Sequence, residues 1–456
     1  MVQRSGYTSK KGAPGGPTVE KSRAAFKPGE RKEMRNRIVL SNTNAPALDL
    51  PELAAEVSMR EEAVGTVFRF RDDDVDRLRA LNAFRRTQDW KFFHRPSTVM
   101  RLDSLTMGYR LARIHGDEGL GAEDPSAPSA PATPTRQRRG ATAGNADGKF
   151  QRAVLCGPKG SGKSVLLLQA MTWALQRGWL VINIPNGIPL PPQTSLAPPH
   201  LLMLRAHVQK AHDLVIGHTE YELDAASGLW LQREYTAALL GRIAAANRKV
   251  LASMAIGEAC TLGLHAFPAK AKMSDLVETG SKDASIAHEV LATLLAVSEL
   301  RGPPVLFALD GLNELMLPSA YRDADFKFVH AHDLALVRTF LAFLGGRRRF
   351  ARGLVLAATS ASGARRTEAL DYALSGRALP NYSKLDPRVA PSIAGADIWR
   401  VAAMRKAEAR GLLDYCRDSG LLRDPEPLSD EQVAQRLALS SGLPKELVAG
   451  CVRLRA

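Results

Sequence analysis

Residues 152–175 read RAVLC GPKGSGKS VLLLQAMTWAL. The middle octet, Gly157 to Ser164, matches GxxxxGK[ST] in full. Each part of that pattern has a physical task. Glycines let successive backbone N–H groups turn inward and close on phosphate oxygens. A helix beginning near Lys163 points the positive end of its dipole at the same spot. The apolar run before the octet is the strand such a loop requires, and the run after it is the helix. The residues expected to hold nucleotide are therefore Gly157, Pro158, Lys159, Gly160, Ser161, Gly162, Lys163, Ser164 and the adjoining Val165. Lys163 is expected at the β- and γ-phosphates, and the Ser164 hydroxyl on Mg²⁺. The competing reading is a glycine-rich turn with no ligand, which the strand and helix on either side disfavour.

A phosphate loop needs an acidic residue at the end of a second buried strand. PPVLFALDGLNEL supplies Val305–Leu309 and then Asp310, expected to hold the magnesium through water. An apolar run ending in Asp is common, and it gains weight here from the complete loop upstream. Gly311 stands where many nucleotide hydrolases of this type carry a catalytic Glu. The nearest carboxylate is Glu314, the catalytic candidate, and its competing reading is a polar residue opening the next helix. A base must come within hydrogen-bond reach of the water it orients, so hydrolysis is expected to be slow at most. The run Leu354–Ala358 ends in Thr359-Ser360, which places Thr359 near the γ-phosphate. Ser383-Lys384-Leu385-Asp386 lacks the Asn of the guanine-reading NKxD pattern, so guanine and adenine both stay open. The ten histidines show no paired-ligand spacing, and only Mg²⁺ has support as a metal.

Working outward, strand-like runs at Ala153–Cys156, Leu180–Ile184, Val305–Leu309, Leu354–Ala358 and Asp397–Val401 alternate with helical patterns. Those patterns are Ser164–Arg177, Leu229–Ala255, Ala284–Glu299 and Asp333–Leu344. The alternation predicts an α/β fold, a parallel sheet with helices on both faces. Its expected extent is 149–402. Three helices, Ala402–Asp418, Ser429–Leu439 and Pro444–Leu454, are expected as a small C-terminal lid over 403–456. Upstream, 38–115 is expected to be helical in part, with LPELAAEV and DDDVDRLRALNAF at helical spacing. Phe84–Arg101 interleaves Phe84, Trp90, Phe92 and Phe93 with basic residues, a pattern for stacking on RNA bases; core packing of those aromatics is the favoured reading. Residues 116–148, rich in Ala, Pro, Gly, Ser and Thr, predict a flexible linker or insertion. Residues 1–37 predict a disordered basic arm; the first forty residues carry ten Lys/Arg against three Asp/Glu.

The 456 residues carry 62 Lys+Arg and 47 Asp+Glu, a formal charge of +15, which favours polyanionic partners. No run approaches the roughly 20 apolar residues a spanning helix needs, so no membrane partner is expected. The four cysteines, Cys156, Cys260, Cys416 and Cys451, form no CxxC pair and suit a reducing compartment.

In combination and in this order, GPKGSGKS, GWLVINIPNG, PVLFALDGLNEL and GLVLAATS resemble the death-associated protein three family of the mitochondrial ribosomal small subunit. RIVLSNTNA, WKFFHRPST and YELDAASGLWLQREYTAALLGRIAAAN resemble its fungal branch. The family is similar to AAA+/STAND proteins, whose second motif often reads DGLDEL; Asn313 departs from that pattern. SSGLPKEL resembles the Gly-x-Pro element of their helical C-terminal unit. The resemblance implies a P-loop constituent of the small subunit's head in the mitochondrial matrix, binding a purine nucleotide (GTP/GDP or ATP) with Mg²⁺ for structure or assembly. It implies small-subunit rRNA and neighbouring ribosomal proteins as partners, a bridge to the large subunit, and no homo-oligomer. A free-standing AAA+/STAND ATPase switch is the alternative.

Overall fold

A computed structural model describes residues 38–85, 88–117, 151–185, 214–215, 219–360, 367–377, 384–422 and 426–453. The expected basic arm at 1–37, and all but the first two residues of the 116–148 linker, lie outside them.

The five apolar runs form the strands of one sheet: β1 (Arg152–Cys156), β2 (Leu180–Ile184), β3 (Val305–Asp310), β4 (Gly353–Ala358) and β5 (Asp397–Arg400). Their order is β5-β1-β4-β3-β2, and every pairing is parallel. Parallel neighbours require long crossovers, and the helices that lie between the strands in the chain supply them. In chain order the helices are α1 (Asp72–Ala80), α2 (Leu102–His115), α3 (Lys163–Gln176), α4 (Arg233–Ala246), α5 (Arg248–Ser253), α6 (Met273–Lys282), α7 (Ala287–Leu300), α8 (Ala335–Leu344), α9 (Glu368–Ser375), α10 (Val389–Ser392), α11 (Lys406–Asp418), α12 (Asp430–Leu439) and α13 (Pro444–Arg453).

Period-two alternation sorts the strand residues onto two faces. Val154, Ile182, Phe307, Leu309, Val355 and Ala357 join one core with residues of α4, α6, α7 and α8. Ala153, Leu155, Val181, Leu306, Ala308, Leu354 and Leu356 join a second core with α3 and the N-terminal segments. Both faces are dry, which is why the runs read as unbroken apolar stretches. A third cluster ties Leu412, Leu413, Cys416, Val433 and Leu447 of the last three helices to Val67 and Phe93.

The Leu229–Ala255 expectation needs correction. Leu229–Leu231 is a strand paired antiparallel with Glu222–Asp224, and the helix begins only at Arg233. It then breaks at Asn247, for a specific reason. The Asn247 side chain accepts from Val181 N–H and donates to Val181 C=O, both at 2.9 Å, so it stands in for a neighbour on edge strand β2. LPELAAEV is not a helix either. Leu53 N–H donates to Arg69 C=O at 2.8 Å and Arg69 N–H to Pro51 C=O at 2.9 Å, holding that segment extended. Tertiary pairing overrode helical spacing. The Ala284 start becomes one 3-10 turn before α7, and Asp333 another before α8.

The aromatic segment packs in the core. Phe70, Phe84 and Trp90 form mutual edge-to-face contacts at 5.9–6.5 Å, and Phe84, Trp90 and Phe93 are buried. Phe70, Phe84 and Trp90, packed on one another, are not free to stack on RNA bases.

Candidate functional site

Parallel pairing brings the carboxyl ends of β1, β3 and β4 side by side. Ala358 stands opposite both Leu155 and Asp310, so the loop at Gly157, the Asp310 carboxylate and Thr359 share one rim. Ligands in open parallel sheets bind at this rim, at the point where the crossovers diverge. Here β1 leads towards β2 at one edge, whereas β4 leads towards β5 at the other.

The loop turns through Gly157 (φ 144°), Gly160 (φ 83°) and Gly162 (φ 99°), conformations that a side chain would strain. A Cβ at Gly160 would also stand 2.8 Å from Lys445 Cβ. Gly162 caps α3, and Val165 and Leu166 N–H donate to its carbonyl. Lys163, buried, donates from Nζ to the Gly157 and Pro158 carbonyls, both at 2.8 Å. Burial pushes its pKa below the usual lysine value, with Asp310 opposing the shift.

Asp310 is buried, with the Ser164 side chain close enough to lower its pKa. Burial raises its pKa, against the pull of Arg85, Ser164 and Lys163. Arg85 Nη2 lies 2.5 Å from Asp310 Oδ2, whereas Asp310 Oδ1 has no hydrogen-bond partner. A buried carboxylate oxygen with nothing to accept from is costly. Beside a serine hydroxyl, it is the donor set a hard divalent cation takes.

Above the loop lies a cavity of about 220 Å³. Lys159, Gly160, Gly162, Lys163, Ser164, Val165, Thr359 and Ser360 line its polar end. Val67, Trp90, Phe93, Met404, Tyr415 and Val448 line the apolar end, where Phe93 and Tyr415 stack at 4.7 Å. A wall that combines the loop's polar groups with aromatic side chains suits a nucleotide-sized ligand.

Thr359 donates from Oγ1 back to Leu155 C=O at 3.2 Å and keeps its place on the rim. Glu314, buried in the 3-10 turn Leu312–Met316, is not among the residues lining the cavity. Asn313 holds the loop after β4 through Ser360 N–H to its Oδ1, at 2.7 Å.

Three residues that the sequence reading passed over complete the site. Arg85 sits in the aromatic segment and pairs with Asp310. Gln169 of α3 donates to Thr98 Oγ1 at 2.8 Å and accepts from Ser104 at 2.7 Å, fixing the N-terminal segments to the loop's helix. Arg101 is the hub. It donates to Ser161 C=O at 2.7 Å and Ala402 C=O at 2.6 Å, and reaches Glu408 at 3.4 Å. Glu408 in turn accepts from Leu102 N–H and Arg405 N–H. The loop is thus bound to the start of α11, and Lys445 N–H donates to Gly160 C=O from α13. At the start of α2 Ser104 Oγ accepts from Arg101 N–H at 3.2 Å, but no local sequence pattern announces the reach of the Arg101 side chain.

His330 and His332 are buried beside Met316 and Asp386, away from this cavity. Among the described residues no group of three or more His, Cys, Asp or Glu is arranged to hold a metal, and no helix is long and apolar enough to cross a membrane.

A family model described as mitochondrial ribosomal death-associated protein 3 matches residues 140–194 and 203–450. Small ribosomal subunit protein mS29 of Neurospora crassa is 32% identical over 436 residues, 91% of this chain and 80% of its own length. The protein of the same name from Schizosaccharomyces pombe is 24% identical over 325 residues, 68% of this chain and 60% of its own length.

Proposed function

Because the chain belongs to the mitochondrial ribosomal death-associated protein 3 family, we propose that it is a constituent of the mitochondrial ribosome's small subunit, braced internally by a purine nucleotide with Mg²⁺. The ribosomal half of this reading rests on the names its relatives carry. The nucleotide half rests on one observation: Lys163, Ser164 and Arg85 line a cavity walled by β-strand loops, α11 and α13, and behind Arg85 the buried Asp310 keeps Oδ1 without a partner. In this reading a P-loop core carries a basic N-terminal extension and a small helical lid.

Gly157–Ser164 would cradle the phosphates through backbone N–H groups, Lys163 would balance their charge, and Ser164 with Asp310 would hold the cation. The apolar end, between Phe93, Tyr415 and Met404, would take the base. Held there, a magnesium ion would supply charge neutralisation to the phosphates. Arg101 already ties the loop to Glu408 and Ala402, so a ligand that tightens the loop also tightens α11. That geometry favours a clasp over a motor. Glu314 lies off the cavity wall, so it is not placed to activate a water there.

The test is sedimentation of tagged chain from mitochondrial lysate, with nucleotide extracted from the same fractions. Co-migration with the small subunit, with purine nucleotide in proportion, supports both halves. A chain that sediments alone and turns over ATP supports the free-standing switch instead.

A further inference from the structure

The end of the sheet opposite the nucleotide cavity carries a second feature. The strands' amino ends emerge there, and the loops entering β3 and β4 present Arg301, Arg347, Arg349 and Arg352, all exposed. Among the described residues none of these four forms an ion pair or hydrogen bond through its side chain. Carboxylates at this end are taken: Glu299 pairs with Arg348, and Asp397 with Arg110 at 2.7 Å.

The loop 345–352 is a fixed ridge. Phe350 is buried and stacks on Phe343 at 4.3 Å, and the Arg348 guanidinium lies 4.7 Å from the Phe343 ring centre. Gly346 (φ 77°) makes the turn, where a Cβ would stand 2.2 Å from Arg152 Nη1. Arg152 itself is locked to the Leu344 and Ala394 carbonyls, and burial and the nearby Arg349 push its pKa down. The ridge thus carries Arg347, Arg349 and Arg352 without a counter-charge of their own, since Glu299 is committed to Arg348. All four cations are arginines, whose planar donor forks match phosphate oxygens.

We propose that this ridge is a second ligand-binding surface of the chain, one that grips the phosphate backbone of ribosomal RNA through Arg301, Arg347, Arg349 and Arg352. The proposal rests on the ribosomal reading above and adds the location and chemistry of the contact. The nucleotide site, at the opposite rim, is independent of it.

The experiment uses the full chain and a fluorescein-labelled RNA duplex of about 24 base pairs. Binding is measured from 50 to 200 mM KCl for three proteins: wild type, Arg347→Gln/Arg349→Gln/Arg352→Gln, and Lys91→Gln/Lys327→Gln/Lys384→Gln. The last removes equal charge from exposed positions elsewhere. Each lost phosphate contact lowers the log–log salt slope by roughly 0.9. The arginine variant should therefore lose about 2–3 from the slope, and the lysine variant much less. Replacing the same arginines by lysine should restore most of it. Equal slopes for the arginine and lysine variants overturn the proposal. In parallel, ultraviolet cross-linking of small-subunit fractions should join peptides spanning 347–352 to RNA. Cross-links from that ridge to an acidic protein segment alone overturn it and leave the ribosomal reading standing. Absence of the chain from those fractions removes both.

Discussion

Replacing Asp310 by Asn separates what this carboxylate does for the fold from what it does for a ligand. Asp310 and Arg85 are a buried pair, with side chains 8% and 14% exposed. Removing one partner of such a pair leaves the other buried and uncompensated, at a cost of about 3–5 kcal/mol. Melting temperature moves by roughly 2 °C for each kcal/mol in a large domain, so nucleotide-free Asp310→Asn should melt some 6–10 °C below wild type. The double variant Arg85→Met/Asp310→Asn removes both charges and should recover most of that loss, because replacing a buried pair with apolar volume is often near neutral. The ligand term behaves differently. A nucleotide at a thousandfold excess over Kd adds about 4 kcal/mol, or roughly 8 °C, to wild type in Mg²⁺. Neither variant should show that gain, since both lack the group that takes the cation. The assay is a melting curve of each purified protein with and without Mg²⁺ and GTP or ATP. If the double variant both melts like wild type and gains the same increment from Mg²⁺–nucleotide, the cation-site reasoning is refuted.

Three further outcomes follow from the same geometry. Lys163→Ala should abolish nucleotide retention through purification, because the phosphates lose their main cationic partner; stoichiometric purine in the purified variant contradicts the loop assignment. Glu314→Gln should change melting and small-subunit incorporation little, and wild-type turnover should stay below about 1 s⁻¹, the low end of ordinary enzymes; faster turnover lost in Glu314→Gln would place that residue in catalysis. Stability should fall on acidification through His332, whose pKa is pushed down to about 4 by burial, then by His330 and Arg388. The unfolded imidazole titrates near 6.5, so below that pH the unfolded chain binds the extra proton. The contribution is present above pH 6.5 and is lost towards pH 4, about 2 kcal/mol by pH 5. His332→Gln should flatten the acid limb of a pH–stability profile by that amount, and an unchanged limb contradicts the assignment.

The sheet was legible because its strands are buried on both faces. Val305–Leu309 and Leu354–Ala358 have no polar alternation to confuse with helix, and glycines and a Lys-Ser pair mark the loop. What the sequence hid were contacts between distant segments. Arg85 reads as one more cation among aromatics until the fold carries it to Asp310. Arg101 gives no local sign that it joins Ser161 to Ala402. Asn247 sits inside an unbroken helical pattern, and only the bare edge of β2 explains the break. The segment at LPELAAEV shows the opposite failure: good local spacing was overruled by pairing with Arg69.

The central claim is that a nucleotide clasps the loop to the last helices inside the assembled particle. A density map of the small subunit, isolated in Mg²⁺ without added nucleotide, tests it most directly. The account predicts phosphate density within the Gly157–Ser164 turn, a cation between Ser164 and Asp310, and a base against Phe93 and Tyr415. A map with the chain in place, Lys163 still folded onto the Gly157 and Pro158 carbonyls and no density over the loop would contradict it.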